Sequence, residues 1–333
     1  MAVPRISVAM SVYNNAAFLD EAIASIRTQS FADFELLIVD DGSTDGSAAI
    51  IDAHAAADRR IRVLRQSNCG LIASLNRAVA EARGELIARM DGDDRSLPDR
   101  FARQIAFLDA NPDHGVVGTN THDMDEAGQI HECTDFHPLT HEALLAALSQ
   151  GSPMCHPSVM MRTEVLRAVG GYHAAYRHCE DYDLWLRLSA RTRLANLPDR
   201  LLLYRRSPSQ VSKRHVLAQQ LGAEIARLAH RERLAGRPDP TEHLAELPPL
   251  DALDALFGRT GTAREVRARL ARGIVYSDRA LRGDGFAILT DHVRAGGAHD
   301  GLWRTVVRLI AFGQARLALR LALLLIAHRP AFG

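Results

Sequence analysis

The sequence lacks an excess of either charge and contains few cysteines. Its 40 Lys and Arg residues balance its 40 Asp and Glu residues. Nucleic-acid-binding proteins normally carry a basic excess, so this balance argues against a general nucleic-acid binder. The four cysteines are widely spaced, and no two of them form a C-x-x-C pair. We therefore expect neither a zinc site nor a disulfide framework, and the composition favours a reducing, cytoplasmic setting.

Long apolar runs are also absent from the sequence. No run reaches the roughly 20 residues that a transmembrane helix needs. The nearest candidate, "LALRLALLLIAH", is short and is broken by Arg320. The amino-terminal stretch lacks the charged and apolar regions of a signal peptide, and we interpret it as a strand. We predict a cytoplasmic protein, and attachment to the inner face of the membrane stays open.

Predicted strands and helices alternate along the first hundred residues. Apolar, β-branched runs predict strands at 5–13, 34–40, 61–66 and 85–90. The segments between them have the apolar spacing of helices. This alternation is typical of βαβ units, so we predict an α/β fold with a mostly parallel sheet and helices on both faces.

Two of the predicted strands end in acids. Asp40 and Asp41 follow one strand, and Asp91 and Asp93 follow another. In such sheets, ligands bind at the carboxyl ends of the strands. Because side chains alternate along an extended chain, Asp91 and Asp93 are expected to project to the same side. Their carboxylates suit Mg²⁺ or Mn²⁺.

The alternative for the second acidic run is a helix cap. Asp94 or Ser96 could cap the following helix, which has Pro98 in its first turn. Capping leaves Asp91 without a role. We therefore expect Asp91 and Asp93 to face a ligand, and Asp94 and Ser96 to start the helix.

Three segments closely resemble glycosyltransferase family 2 in their motifs, order and spacing. The segments are 7–47, 68–94 and 170–189, within a resemblance that covers about residues 4–215. The resemblance implies the GT-A fold. In that fold a Rossmann-like nucleotide-sugar-binding half, here 1–110, shares one sheet with an acceptor-binding and catalytic half, here 111–215. Residues 216–333 lie outside the resemblance, and their Ala/Leu/Arg-rich pattern predicts a helical C-terminal extension.

The resemblance also implies roles for residues of the nucleotide half. Ser11 and Tyr13 would lie against the base of the nucleotide. Asp41 would accept a hydrogen bond from a base N–H group, with Asp40 beside it.

Asp91 and Asp93 match the D-x-D motif of the family. The resemblance implies that Asp93 binds Mn²⁺ or Mg²⁺ directly, and that the metal bridges the diphosphate of a nucleotide sugar, which Asp91 also contacts. Such a metal would stabilise the negative charge on the leaving diphosphate. Gly92 would let the backbone come close to the donor.

Glu180 and Asp181 begin the run "EDYDLWLRL", whose spacing predicts a helix with Leu184, Trp185 and Leu188 on its core face. Acids at a helix start are favoured by the helix dipole alone. The resemblance implies that Asp181 is the catalytic base, which deprotonates the acceptor hydroxyl in a single displacement with inversion. The dipole is expected to keep it ionised at neutral pH.

His156, Glu180 and Arg205 are further candidates for contact with the acceptor or the diphosphate. The family often has a His at the place of His156, and a buried structural histidine is an equal alternative. A basic run after the last predicted strand could close over the diphosphate. Its basic residues include Arg205, Arg206, Lys213 and Arg214. The family commonly has a His where this chain has Ser207, which weakens that prediction.

Together these features predict an inverting glycosyltransferase. It would move a sugar from a metal-bound nucleotide sugar, most often UDP-linked in this family, to a glycan or lipid-linked acceptor in the synthesis of cell-surface polysaccharide or glycoconjugate. A sugar nucleotidyltransferase would need a Gly-rich phosphate loop, and "SVYNNAAF" has no glycine. A non-catalytic relative is disfavoured because Asp41, Asp91, Asp93 and Asp181 are all retained.

The predicted C-terminal helix is basic on one broad side. Arg304, Arg308, Arg316 and Arg320 fall on this side, and no acid occurs from 301 to 333. A basic side opposite a Leu-rich side is typical of a helix at a membrane surface. The alternative is packing on the domain itself or on a second subunit in a homo-oligomer.

Overall fold

The computed structural model describes residues 3–131, 133, 136–207 and 215–328. The chain divides into two compact units. The first unit consists of Met1–Ala174 and Glu180–Gln210, and the second consists of Ala175–Cys179 and Val211–Gly333. The short segment Ala175–Cys179 thus belongs with the C-terminal helices, although the chain on both sides of it belongs to the first unit.

The first unit is built on one mixed sheet, which has nine strands among the described residues. The strands are β1 Ile6–Val12, β2 Phe34–Asp40, β3 Ile61–Arg65, β4 Leu86–Asp91, β5 Arg95–Ser96, β6 His114–Met124, β7 Ile130–His131, β8 Met160–Arg162 and β9 Arg193–Arg205. Their order is β3-β2-β1-β4-β8-β6-β9-β5, with β7 paired to β6. Strands β1 to β4 are mutually parallel, as the alternation predicts.

Helices alternate with strands from β1 to β4, as predicted, and the alternation is broken later in the chain. The helices are α1 Leu19–Arg27, α2 Ser47–Ala57, α3 Leu71–Glu81, α4 Arg100–Ala110, α5 His141–Leu148, α6 Thr163–Ala168 and α7 Glu180–Leu188. Every residue of β2 and all but Ser11 of β1 are buried, so both faces of the parallel half are covered. The core of this half is therefore continuous from the sheet to the helices.

The second half of the sheet mixes strand directions. Strand β8 pairs antiparallel with both β4 and β6, whereas β6 and β9 are parallel. The acidic run, residues 91–94, begins at the last residue of β4 and leads directly into β5, which pairs antiparallel with β9. The parallel order therefore ends beside β4, and the acidic run leaves the sheet at that point.

The predicted helix caps after β4 are wrong. Helix α4 begins at Arg100 with Asp99 at the cap position. Asp94 instead accepts a hydrogen bond from the backbone N–H of Arg205. Ser96 lies in β5. Both residues are used for tertiary contacts, which local sequence does not reveal.

Arg100 braces the strand that carries the acidic run. Its side chain is fully buried, and Nη2 donates to the carbonyl oxygens of Arg89 at 2.7 Å and Val159 at 3.3 Å. One turn later, Gln104 Nε2 donates to the carbonyl oxygens of Val117 and Ser158, each at 2.9 Å. These bonds tie α4 to β4, β6 and the turn before β8.

The second unit is helical. Its helices are α8 Val216–Leu234, α9 Leu253–Leu256, α10 Thr262–Ile274, α11 Asp278–Arg282, α12 Asp284–Arg294, α13 Leu302–Ala311 and α14 Ala315–Ala327. Tyr176 anchors the segment Ala175–Cys179 to this unit through a buried 2.9 Å hydrogen bond between its hydroxyl and that of Thr241. Among the described helices, none has the length and apolar character needed to cross a bilayer.

Candidate active site

Three aspartates converge directly after β4. Asp91 is the last residue of that strand, and Asp93 and Asp94 follow on the link to β5. One carboxylate oxygen of each lies within 4.8 Å of the others, and the described part of the chain has no second group of this kind. Mg²⁺ and Mn²⁺ prefer carboxylate oxygens, so this acidic cluster can hold a divalent cation.

Asp94 is the most deeply buried member of the acidic cluster. It is 1% exposed, and its Oδ1 accepts the backbone N–H of Arg205 at 2.8 Å. Its Oδ2 is buried and has no hydrogen-bond partner. A buried polar atom without a partner costs about 1–3 kcal/mol, and a cation would satisfy it. Asp94 therefore fits as a third oxygen ligand, a role that the sequence did not indicate.

Burial and mutual repulsion raise the pKa values in the acidic cluster. The pKa of Asp93 rises to about 6, first through burial and then through the charge of Asp91. The pKa of Asp94 lies well above its usual range because of burial and the charges of both neighbours. A nearby cation stabilises the ionised form of a carboxylate, and this effect matters most where burial and like charges have made ionisation unfavourable. The raised pKa values and the carboxylate oxygens of the cluster therefore both favour a bound cation.

Arg89 places one fixed positive charge beside the acidic cluster. Its side chain is 3% exposed and forms an ion pair with Asp91, two residues later on the same face of β4. Burial alone would lower the pKa of Arg89, but the charge of Asp91 outweighs it and raises the pKa. Arg89 thus stays charged, yet a single guanidinium does not balance three carboxylates.

The predicted nucleotide-binding residues lie at the same edge of the sheet. Ser11 pairs with Asp91 in the register of β1 and β4. Asp40 ends β2 opposite Val12 of β1. Tyr13 follows β1 and is 49% exposed. The carboxyl ends of β1, β2 and β4 therefore bring these residues together, as the strand pattern predicts.

Asp41 holds the loop that precedes α3. Its Oδ1 accepts from Gln66 Nε2 at 2.7 Å and from the backbone N–H of Cys69 at 2.8 Å. Its Oδ2 accepts from the backbone N–H of Gly70 at 2.8 Å. A carboxylate accepts roughly four hydrogen bonds, so these three leave one acceptor position of the buried Asp41 unused by the loop.

A hydrogen-bond relay fixes the carboxylate of Asp181 at the start of α7. Trp185 Nε1 donates to Ser152 Oγ at 3.2 Å, and Ser152 Oγ donates to Asp181 Oδ2 at 3.1 Å. The indole N–H can only donate, so the hydroxyl of Ser152 keeps its proton for an acceptor, and the carboxylate of Asp181 is closer to it than the carbonyl oxygen of Met154 at 3.3 Å. Oδ1 of Asp181 is not used by this relay. Trp185, predicted as a core residue, is fully buried as expected.

His156 lies beside this relay. Its Nε2 is 2.8 Å from the hydroxyl of Tyr172, and its ring meets that of Trp185 edge to face at 5.9 Å. Burial and the charge of Arg89 hold the pKa of His156 well below its usual value. The ring is therefore neutral at neutral pH and supplies no positive charge.

Glu180 and Asp181 hold protons more tightly than the helix dipole predicts. Burial and the charge of Asp181 raise the pKa of Glu180 to about 7. Burial also raises the pKa of Asp181, although the Ser152 hydrogen bond lowers it in part. Desolvation outweighs the helix start here, so Asp181 is a stronger base than its position in the sequence indicates.

Arg205 is used within the fold. Its side chain is 1% exposed, its Nε donates to the carbonyl oxygen of Asp93 at 2.7 Å, and its Nη1 donates to that of Asp125 at 2.9 Å. This engagement argues against the predicted contact with acceptor or diphosphate, and Arg205 instead holds the acidic cluster in place. Arg206 pairs with Asp123 at 3.0 Å. Lys213 and Arg214 lie outside the described residues.

Sequence reasoning missed four residues of this site. Arg89, Ser152 and Tyr172 were not singled out, and Asp94 was assigned to a helix start. Arg89 could have been noticed in the sequence, because it is a charged residue inside an otherwise apolar predicted strand. Nothing local marks Ser152 or Tyr172, because their partners are distant in the chain.

Comparison with known proteins identifies the family. Residues 7–170 match the family model "Glycosyl transferase family 2". The E. coli O-antigen biosynthesis glycosyltransferase WbnJ is 32% identical over 60% of this chain and 79% of its own length. The Erwinia amylovora amylovoran biosynthesis glycosyltransferase AmsE is 31% identical over 62% of this chain and 79% of its own length. EpsE of Bacillus subtilis is 39% identical over 55% of this chain, and the match spans 66% of EpsE.

Solved structures show the same fold. S. aureus TarS 1–349 in complex with UDP-GlcNAc aligns with a TM-score of 0.59 at 17% identity, over 98% of this chain and 91% of that one. The mannosyltransferase PcManGT of Pyrobaculum calidifontis, in complex with GDP-Man and Mn²⁺, aligns with a TM-score of 0.52 at 19% identity, over 99% and 89%. The predicted GT-A fold with a C-terminal helical extension is confirmed. The chain is a member of glycosyl transferase family 2.

Proposed function

We propose that this protein is an inverting, metal-dependent glycosyltransferase. It transfers a sugar from a nucleotide sugar, with UDP as the first candidate nucleotide, to a hydroxyl of a glycan or lipid-linked acceptor. The products are cell-surface polysaccharide or glycoconjugate, in keeping with the biosynthetic names of WbnJ and AmsE. The nucleotide sugars bound by TarS and PcManGT support the choice of donor class.

The observation that carries this proposal is the acidic cluster with its unpartnered buried oxygen. Asp91, Asp93 and Asp94 would hold Mn²⁺ or Mg²⁺, with Arg89 fixing the carboxylate of Asp91. The bound ion would supply Lewis-acid stabilisation of the diphosphate as the glycosidic bond breaks. The Mn²⁺ in PcManGT agrees with this assignment.

The remaining residues at the sheet edge would bind the nucleoside. Ser11 and Tyr13 would lie against the base, with Asp40 beside them. Asp41 would accept a base N–H at the one hydrogen-bonding position that the loop before α3 leaves free.

Asp181 would take the proton of the acceptor hydroxyl as that oxygen attacks the anomeric carbon. Ser152 Oγ donates to Oδ2 and so fixes the orientation of the carboxylate that would receive the proton. The raised pKa of Asp181 suits this role, because a base whose pKa lies closer to the working pH accepts a proton more readily. Glu180 and the neutral His156 would lie on the acceptor side.

A screen of nucleotide sugars tests the proposal. UDP-, GDP- and dTDP-sugars are titrated calorimetrically with Mn²⁺, with Mg²⁺ and with EDTA, and slow hydrolysis of each donor is followed. We expect one nucleotide class to bind only when the metal is present, and its sugar to be released with inverted anomeric configuration by NMR. Equal binding in EDTA would contradict the metal role, and retained configuration would contradict the single displacement.

Ser152→Ala tests the relay. Its hydrogen bond stabilises the ionised form of Asp181, so its loss raises the pKa of Asp181 further. We expect the acid limb of the pH profile for transfer to move up by about 0.5–1 pH unit, the equivalent of one modest charged hydrogen bond. Ser149→Ala is the control, since Ser149 Oγ donates to the carbonyl oxygen of Ala146 within its own helix turn. A profile unchanged in both variants would remove Ser152 from the mechanism.

A further inference from the structure

The last two described helices form a hairpin whose inner side is packed against the rest of the second unit. Helices α13 and α14 pack against each other and against the core of the second unit. The inward residues are Leu302, Thr305 and Leu309 of α13, and Ala318, Leu321 and Leu325 of α14. The hairpin is therefore anchored by one face of each helix.

The outer side of the hairpin carries an apolar ridge. The ridge consists of Trp303, Val307 and Ile310 on α13, and Leu319, Leu323 and Ile326 on α14, which are 50% to 66% exposed. On each helix the three residues follow the spacing i, i+4, i+7, which keeps them on one side. Single exposed apolar residues are common on protein surfaces, but six on two adjacent helices are not.

The charged residues of the hairpin itself are all positive. The hairpin carries Arg304, Arg308, Arg316 and Arg320, and the sequence has no acid from 301 to 333. Arg304, Arg316 and Arg320 are exposed. Arg308 stacks over the ring of Tyr276 at 4.3 Å, and Arg320 lies over the ring of Phe286 at 5.3 Å. In the part of the hairpin that the structure describes, none of the four forms an ion pair with an acid.

The positive charge beside the apolar ridge distinguishes between three possible binding partners, which are a second copy of the chain, nucleic acid and a phospholipid bilayer. In a two-fold dimer the same patch faces itself, so the arginines of both copies would meet with no acid of either hairpin to pair them. Nucleic acid would neutralise the arginines but would leave the apolar ridge without a partner. A bilayer of anionic phospholipid offers apolar chains to the ridge and phosphate groups to the arginines.

The lengths of the helices decide how they would meet a bilayer. Helix α13 has 10 residues and α14 has 13. A spanning helix needs about 20, so neither can cross the hydrocarbon core. We propose that the α13–α14 hairpin is an interfacial anchor, which lies on an anionic phospholipid bilayer with the apolar ridge at the acyl boundary and the arginines among the phosphates.

Vesicle flotation of the full chain tests this proposal. We expect the protein to float with phosphatidylcholine vesicles that contain phosphatidylglycerol, and much less with phosphatidylcholine alone. The variant Trp303→Ser/Val307→Ser/Leu319→Ser/Leu323→Ser changes only exposed ridge positions and should lose binding to both. The variant Arg304→Gln/Arg316→Gln/Arg320→Gln should lose roughly 100-fold in affinity for the anionic vesicles, because each arginine near the surface contributes about fivefold.

Matched controls separate these effects from misfolding and from the proposed enzyme activity. Arg264→Gln/Arg272→Gln removes two exposed arginines elsewhere in the second unit, and Leu234→Ser removes an exposed leucine of α8. Both controls should float like the wild type. Metal-dependent UDP binding is measured on every variant and should not change, so the anchor and the donor site succeed or fail separately.

Three outcomes would overturn the proposal. The first is the absence of flotation with anionic vesicles, and the second is equal flotation of the ridge variant and the wild type. The third is a dimer in light scattering that the ridge substitutions dissociate, which would assign the ridge to a second copy of the chain.

Discussion

Asp181→Asn should bind the donor as the wild type does and lose sugar transfer roughly 10²- to 10⁴-fold, the usual effect of removing a positioned base. Asn keeps the size of the side chain and can still accept the hydrogen bond from Ser152. What disappears is the carboxylate that receives the acceptor proton. The loss should therefore appear in kcat, with calorimetric binding of metal and UDP unchanged.

The pH profile of the wild type gives an independent readout of the same role. A general base works only when it is ionised, and burial raises the pKa of Asp181. Transfer should therefore fall on acidification at a pH above the range in which an ordinary Asp titrates. Glu164→Gln is the matched control, because Glu164 is an exposed acid in the first turn of another helix of the same unit. Full turnover by Asp181→Asn would exclude Asp181 as the base.

Asp93→Asn should weaken metal-dependent UDP binding at least about 100-fold, or about 2.8 kcal/mol. The amide replaces a charged oxygen ligand by a neutral one, and both Mg²⁺ and Mn²⁺ favour carboxylates. The measurement is calorimetric titration of UDP at saturating Mn²⁺. Asp99→Asn is the control, since Asp99 is exposed, follows the same acidic run and caps α4 without a side-chain hydrogen bond.

The stability of the metal-free protein separates loss of a ligand from loss of fold. The raised pKa of Asp93 means that its ionised form is unfavourable in the folded state at pH 7, so the neutral amide relieves repulsion with Asp91. Metal-free Asp93→Asn should therefore melt at the same temperature as the wild type or higher. Added Mn²⁺ should stabilise the wild type but not the variant. A variant that melts lower without metal, or that binds UDP normally with it, would contradict the assignment.

The first half of the fold could be predicted because its signals are local. The alternation of apolar runs and helical segments specifies β1 to β4, and the acids that follow β2 and β4 mark the edge where the ligand residues collect. The later strands could not be placed in this way. Strand β8 has three residues, and its antiparallel position between β4 and β6 depends on pairing with strands far away in the chain.

The same contrast holds within the site. Asp91, Asp93 and Asp181 stand out in the sequence because acids recur at a strand end and at a helix start. Asp94 was misassigned, since its hydrogen bond joins it to the backbone N–H of a residue 111 positions away. The side-chain contacts of Arg205 are equally hidden from the sequence, because its partners Asp93 and Asp125 lie far away in the chain. The basicity of Asp181 was also underestimated, because a pKa in the folded state depends on burial by other segments.

By itself, the sequence determined the alternating α/β half, the family motifs and the acidic residues at the sheet edge, since each depends on neighbours within a few positions. The tertiary structure alone decided which of these acids are buried, which hold protons, and which arginines brace the site and which remain exposed. It also assigned Ala175–Cys179 to the helical unit. The physical reason is that desolvation and hydrogen-bond partners are set by residues that meet only when the chain has folded.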